Sequence, residues 1–182
     1  MFNFKVYASE NIPKKGSFIF VSNHASFLDP IILSVTCPKI ASFMAKKELF
    51  ANKLFGWYLG QLGCFSVNRE TLDLAAVKEA LRRIGQGKIL IMFPQGGRRQ
   101  GLDPAEAKGG VGFLAKKAAI PIVPAFIKGA DQAWPATSRF FRPHPISVYI
   151  GRPISPFGAL DRDQLTAKVI EEIKNLEKEN SG

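Results

Sequence analysis

Apolar residues in this chain come in short bursts, and no burst is long. The longest unbroken apolar run is five residues, Ile89–Phe93. After most bursts comes a turn signal, then a stretch where apolar residues return at every third or fourth position. Short buried strands alternating with amphipathic helices admit few architectures. The simplest is an α/β domain with a largely parallel sheet and helices on its faces. The same bursts are too short for a transmembrane helix, which needs about 20 apolar residues. The opening Met1-Phe2-Asn3-Phe4-Lys5 also lacks the apolar stretch of a signal peptide.

The expected strands are Ser17–Val21, Ile40–Met44, Cys64–Val67, Lys88–Phe93, Pro121–Ile127 and Ser147–Ile150. Helical spacing is clear in Leu74, Val77, Leu81 and Ile84, with Thr71 as a cap and Gly85 as the stop. Gly109 to Ala119 reads as a further helix. Asp161 followed by Gln164 resembles a capping box and opens a terminal amphipathic helix over 161–179, marked by Leu165, Val169, Ile173 and Leu176. A helix over Glu48 to Leu62 has an unusually aromatic face (Phe50, Leu54, Phe55, Trp57, Tyr58), with Lys46, Lys47 and Lys53 on its flanks. It reads either as a core-facing helix or as one lying in a membrane interface. No repeat or linker interrupts residues 1–182, so a single domain is expected, with its motif-bearing core over 17–154.

Charge narrows the partners. Lys and Arg total 25 against 15 Asp and Glu, a net +10. The last 22 residues carry four basic and six acidic side chains, so the positive excess sits in the body ahead of them. A basic body suits nucleic acid, a phosphorylated molecule or an anionic membrane. Nothing in the sequence matches a nucleic-acid-binding module. Two cysteines exclude a dense disulfide framework and fit a reducing compartment. Two cysteines and two histidines lack metal-ligand spacing, so no metal is expected.

Three constellations can carry chemistry, each just past an expected strand. The first is Asn23-His24-Ala25-Ser26-Phe27-Leu28-Asp29. A carboxylate five residues after a histidine can reach back and hold one imidazole nitrogen, making the other a better base. His144, the other histidine, lies between prolines in a rigid turn. The second places Arg69 past the strand that Gly63 precedes. The third is Phe93-Pro94-Gln95-Gly96-Gly97-Arg98-Arg99, where glycines admit a close ligand and a guanidinium fork suits phosphate. In a parallel sheet the carboxyl ends of the strands share one edge, where ligands bind. No serine sits in a nucleophile elbow, and no phosphate loop is present.

These residues resemble the glycerolipid acyltransferases, in particular the 1-acylglycerol-3-phosphate (lysophosphatidic acid) acyltransferases. Asn23, His24, Ser26 and Asp29 match that family's first block. Gly63 and Arg69 match its second. Phe93, Pro94, Gly96 and Arg98 match its Phe-Pro-Glu-Gly-Thr-Arg block. Pro121-Ile122-Val123-Pro124 matches its fourth. Gln95 stands where the family has Glu, and Gly97 where it has Thr. The resemblance implies a phospholipid-biosynthesis enzyme that moves a fatty acyl group from acyl-CoA or acyl-carrier protein to the hydroxyl of 1-acylglycerol-3-phosphate, giving phosphatidic acid. It implies His24 as base oriented by Asp29. Arg69, Gly96 and Arg98 would bind the acceptor phosphate, with Asn23, Ser26, Gln95 and Gly97 in support and no cofactor beyond the acyl donor. A peripheral place on the cytoplasmic face of the cell membrane follows. The altered third block leaves open glycerol-3-phosphate or another lysolipid as acceptor, or a non-catalytic lipid-binding relative.

Overall fold

The computed structural model describes residues 3–68, 73–95, 109–135, 138, 140–156 and 158–180. Seven strands form one sheet: β1 (Phe4–Tyr7), β2 (Ile19–Ser22), β3 (Ala41–Lys46), β4 (Cys64–Val67), β5 (Ile89–Met92), β6 (Ile122–Lys128) and β7 (Ile146–Ile150). Their order across the sheet is β1-β7-β6-β2-β5-β3-β4. Every neighbouring pair is parallel except β6 with β7. The α/β class and the largely parallel sheet therefore stand as the alternation of bursts and helices predicts.

Among the described residues six α-helices accompany the strands, the last of them following β7: α1 (Asp29–Thr36), α2 (Lys53–Gln61), α3 (Leu74–Gly85), α4 (Gly110–Ala118), α5 (Ala130–Ala133) and α6 (Arg162–Asn180). The crossovers β2-α1-β3 and β3-α2-β4 step the same way along the sheet. Right-handed connections then put α1 and α2 on one face. The crossovers through α3 and α4 step back, which puts those helices on the other face. The core divides accordingly. On one face Phe18, Phe20, Ile89 and Ile91 pack with Ile32 and Leu33 of α1 and Ala130 and Ala133 of α5. On the other, Ile19, Val21 and Leu90 pack with α3, α4 and α6. Alternate residues of one strand feed opposite layers, as the pleat requires.

Local chemistry fixes the element ends. Thr71 lies outside the described residues, and the cap of α3 is Asp73. Its Oδ1 accepts from the Ala76 N–H at 2.9 Å, while its Oδ2 accepts from the Asn68 N–H at 2.8 Å. One carboxylate thus ties the end of β4 to the start of α3. Those bonds, the Asn68 one foremost, hold its carboxyl below the usual Asp range. The box at α6 closes in both directions: Asp161 N–H donates to Gln164 Oε1 at 2.9 Å, and Gln164 N–H donates to Asp161 Oδ1 at 2.8 Å. The expected helix over Glu48 to Leu62 is instead a 3-10 turn, Lys47–Phe50, followed by the shorter α2. Asn52 divides them, its side chain accepting from the Leu54 and Phe55 N–H groups.

Gly63 and Gly112 are among the glycines required by close approach. Gly63 adopts φ +84, and a Cβ there would lie 2.5 Å from the Ala41 carbonyl oxygen. Gly112 of α4 faces α6 so closely that a Cβ would strike the Arg162 carbonyl. Gly63 therefore shapes the entry to β4 through its backbone. Gly63→Ala is expected to destabilise the fold by about 1–3 kcal/mol. Thermal unfolding followed by circular dichroism would read this as a Tm several degrees lower.

Arg83 of α3 braces the same region. It donates to the Gly63 carbonyl at 2.6 Å and Ser42 Oγ at 3.1 Å, and its guanidinium lies 4.7 Å from the Phe65 ring centroid. Glu79 accepts from both Arg82 and Arg83. The Arg82 bond is foremost in pushing its carboxyl down to about 2, against the opposing effect of burial. A carboxyl lowered in the folded state stabilises fully above its ordinary value of 4.5, and that contribution is lost as pH falls toward 2. Glu79→Gln is expected to flatten the acid-unfolding curve between those two pH values.

Candidate active site

The site grows from the carboxyl end of β2. Ser22 is buried there, and the chain continues into Asn23, whose amide works as an extra strand residue. It accepts from the Ile127 N–H at 2.8 Å and donates to the Ile127 carbonyl at 2.9 Å. Ser22 Oγ also donates to Asn23 Oδ1 at 2.9 Å. This two-point clip fastens the end of β2 to β6, so the next residue leaves the sheet from a fixed position. That residue is His24.

His24 is held on four sides. Its Nδ1 lies 2.9 Å from Asp29 Oδ2. Its ring stacks on Phe93, with centroids 4.2 Å apart and planes 20° from parallel. Its backbone N–H donates to Gln95 Oε1 at 2.9 Å. Its backbone continues the strand clipped through Asn23. The side chain is 13% exposed, so the imidazole is enclosed but reachable.

Asp29 opens α1 and is 1% exposed. Its Oδ2 accepts not only from His24 Nδ1 but also from the Ala25 N–H at 2.7 Å and the Ser26 N–H at 2.8 Å. The helix N-terminus favours negative charge at this place. The carboxylate therefore folds the loop around itself and orients the imidazole in one stroke. With Nδ1 donating to Asp29, Nε2 carries a lone pair and can accept a proton. Ser26 is buried, donates its hydroxyl to the Trp134 carbonyl at 2.8 Å and accepts from the Leu28 N–H at 3.2 Å. Its hydroxyl supports the loop against the segment after α5.

The structure brings His24, Asp29, Asn23, Ser26 and Gln95 together at one sheet edge. Arg69, Gly96, Gly97 and Arg98 lie outside the described residues. The described anchors of their two loops, Asn68 and Asp73 on one side and Gln95 on the other, sit past β4 and β5, on the edge shared with His24. Gln95 stands where the sequence resemblance leads one to expect Glu. An amide and a carboxylate both offer an oxygen, so the bond from the His24 N–H asks only for that shared group. Three roles escaped the sequence reading. The stacking of Phe93 on the imidazole is purely tertiary. The Asn23 clip likewise depends on β6 lying alongside. Asp73 was visible in principle, as a capping residue immediately before the apolar spacing of α3.

Neither cysteine competes as a nucleophile. Burial pushes the Cys37 and Cys64 thiols up to about 12, so both stay protonated near neutral pH. Among the described residues no group of three or more His, Cys, Asp or Glu could hold a metal ion. Among them, too, no helix is long and apolar enough to cross a membrane.

Residues 3–128 match the acyltransferase family. The chain belongs to that family. The acyltransferase match runs from β1 through the end of β6 and so contains the whole His24–Asp29 site. A 1-acyl-sn-glycerol-3-phosphate acyltransferase of Bacillus subtilis is 30% identical over 178 residues, 96% of this chain and 86% of its own length. One of Streptococcus pneumoniae is 35% identical over 130 residues. That alignment takes in 70% of this chain but only 48% of the relative. The crystal structure of the 1-acyl-sn-glycerophosphate acyltransferase of Thermotoga maritima shares the fold with a TM-score of 0.82 at 28% identity. It covers 100% of this acyltransferase chain and 73% of the solved one.

Proposed function

We propose that this chain transfers a fatty acyl group from acyl-CoA or acyl-carrier protein to the hydroxyl of 1-acylglycerol-3-phosphate, giving phosphatidic acid. The observation that carries this reading is the His24 Nδ1–Asp29 Oδ2 contact at the ligand-binding edge of an acyltransferase-family sheet. The names of its relatives supply the acceptor.

The chemistry is a direct transfer. His24 Nε2 accepts the proton of the acceptor hydroxyl as that oxygen attacks the thioester carbonyl. A C–O bond forms, the C–S bond breaks, and the thiolate leaves with a proton returned from the imidazolium. Asp29 holds the ring in the productive tautomer and balances the charge that develops on it. Phe93 fixes the ring plane, and Gln95 and Asn23 fix the backbone that bears it. Arg69, Gly96 and Arg98 bind the acceptor phosphate, where a guanidinium fork matches phosphate oxygens. These side chains belong to a single domain over residues 1–182. Because a lysolipid resides in a bilayer, the protein works at a membrane surface without crossing it, on the cytoplasmic side where the acyl donors are found.

The test is an acceptor panel with one acyl donor. The reading predicts that 1-acylglycerol-3-phosphate is used in strong preference to glycerol-3-phosphate and to a non-phosphorylated lysolipid. Preference for either of the others would overturn the acceptor assignment while keeping the transfer chemistry.

A further inference from the structure

The two faces of the sheet are dressed differently. Helices α3, α4 and α6 turn charged residues outward, among them Lys78, Arg82, Lys116, Lys168 and Lys174. The α1–α2 face exposes mainly apolar side chains, with lysines only at its margin, Lys53 opening α2. No residue of α2 is buried. Leu54 is 76%, Trp57 63% and Tyr58 52% exposed. On α1 an apolar stripe runs outward at intervals of four residues: Phe27, just before the helix, then Ile31 and Val35, the last 68% exposed. A core-facing helix would have hidden these side chains. Sequence spacing reveals an apolar face on α2 but not what covers it.

We infer that this face, the outer stripe of α1 together with α2, is the surface that docks on a bilayer containing anionic lipid. The inference deepens the proposed acyl transfer and rests on it for the lipid nature of the acceptor. Charge argues for the anionic bilayer as occupant. Lys46, Lys47 and Lys53 are all exposed around the aromatic helix, with Glu48 beside them and Asp73 close enough to Lys47 to feel its charge. Lysines beside partly exposed aromatic and aliphatic groups suit a headgroup layer, where the ring enters the acyl boundary and the ammonium meets phosphate. Position argues for it as well. Phe27 lies between His24 and Asp29 in sequence, and its ring is 5.4 Å from that of Trp134. The stripe therefore begins at the mouth of the site. The 3-10 turn Lys47–Phe50 follows β3 on the same edge of the sheet. A bilayer seated on this face meets the site opening, so a lysolipid can enter from the membrane without passing through water.

The experiment is co-sedimentation of the full chain with vesicles of phosphatidylcholine alone, or of phosphatidylcholine mixed with phosphatidylglycerol. Leu54→Ser/Trp57→Ser is compared with Leu74→Ser, an exposed apolar residue of α3 on the opposite face. The expected result is binding of the parent to mixed vesicles that weakens with added salt. Binding should fall about tenfold or more in the double variant and stay unchanged in Leu74→Ser. Equal binding by parent and double variant would overturn the inference. So would binding that ignores phosphatidylglycerol. A concentration-dependent dimer that the double variant abolishes, with no vesicle binding, would also overturn it and make a second copy the occupant. Acyl transfer by the parent to a short-chain lysophosphatidate dissolved as monomer is measured separately. Transfer without face-dependent vesicle binding defeats the docking alone. Face-dependent binding without transfer defeats the acyl-transfer reading and leaves the docking face standing.

Discussion

His24→Ala is expected to reduce acyl transfer by about 10²–10⁴-fold, the usual worth of a positioned general base. The folded state should survive nearly intact. The imidazole contributes one hydrogen bond to Asp29 and one ring stack on Phe93. After its loss, Asp29 still accepts from the Ala25 and Ser26 N–H groups. No buried charge is stranded, and the destabilisation should be about 1 kcal/mol. A kcat that collapses while far-ultraviolet circular dichroism and Tm barely move is the expected signature. A variant that retains parental turnover would remove His24 from the chemistry.

Asp29→Asn is expected to damage both activity and stability. The replacement is close in shape, but its single oxygen is neutral, whereas Oδ2 of Asp29 accepts three N–H groups. Turning the amide the other way would point its own N–H groups at those donors. The imidazole then loses both the anchor that selects its tautomer and the negative charge that balances an imidazolium. In serine proteases the equivalent change lowers kcat by about 10⁴ for this reason, and a loss of about 10²–10⁴ is expected here. Weaker bonds to a buried acceptor should also cost about 1.5–3 kcal/mol of stability. Steady-state kinetics would show the loss mainly in kcat with KM little changed, and thermal unfolding would show a lower Tm. A larger fall in Tm than for His24→Ala distinguishes the loop-folding part of Asp29 from its part in the chemistry. Equal Tm values for the two variants would contradict that division.

The contrast between these two residues shows what the sequence makes legible. A histidine and an aspartate five apart, between an apolar burst and a helix, identify the pair because local geometry alone brings them together. That Asp29 also gathers the Ala25 and Ser26 amides depends on the path of the loop, which spacing does not encode. Phe93 and Asn23 act through β5 and β6, neighbours of β2 in space but far from it in sequence. The same division holds for the fold. Strands such as Ile89–Met92 are legible because both faces are buried and the run is wholly apolar. Strand β1 is not, since Phe4, Lys5 and Tyr7 are exposed at the sheet edge and show no apolar burst. The reversed direction of β7 is likewise invisible, because strand polarity is set by the connection and not by composition. For α2, periodicity identified an apolar face and stopped there; exposure decided between core and surface.

His24, oriented by Asp29, is proposed to drive direct acyl transfer to a lysophosphatidate. The most direct test is to follow phosphatidic acid formation from 1-acylglycerol-3-phosphate and an acyl-CoA or acyl-carrier-protein donor, using purified parent and His24→Ala under the same conditions. Sustained phosphatidic acid production by the parent and near-background production by the variant are expected. Comparable production by both, or none by a folded parent with either donor, would contradict this role of His24.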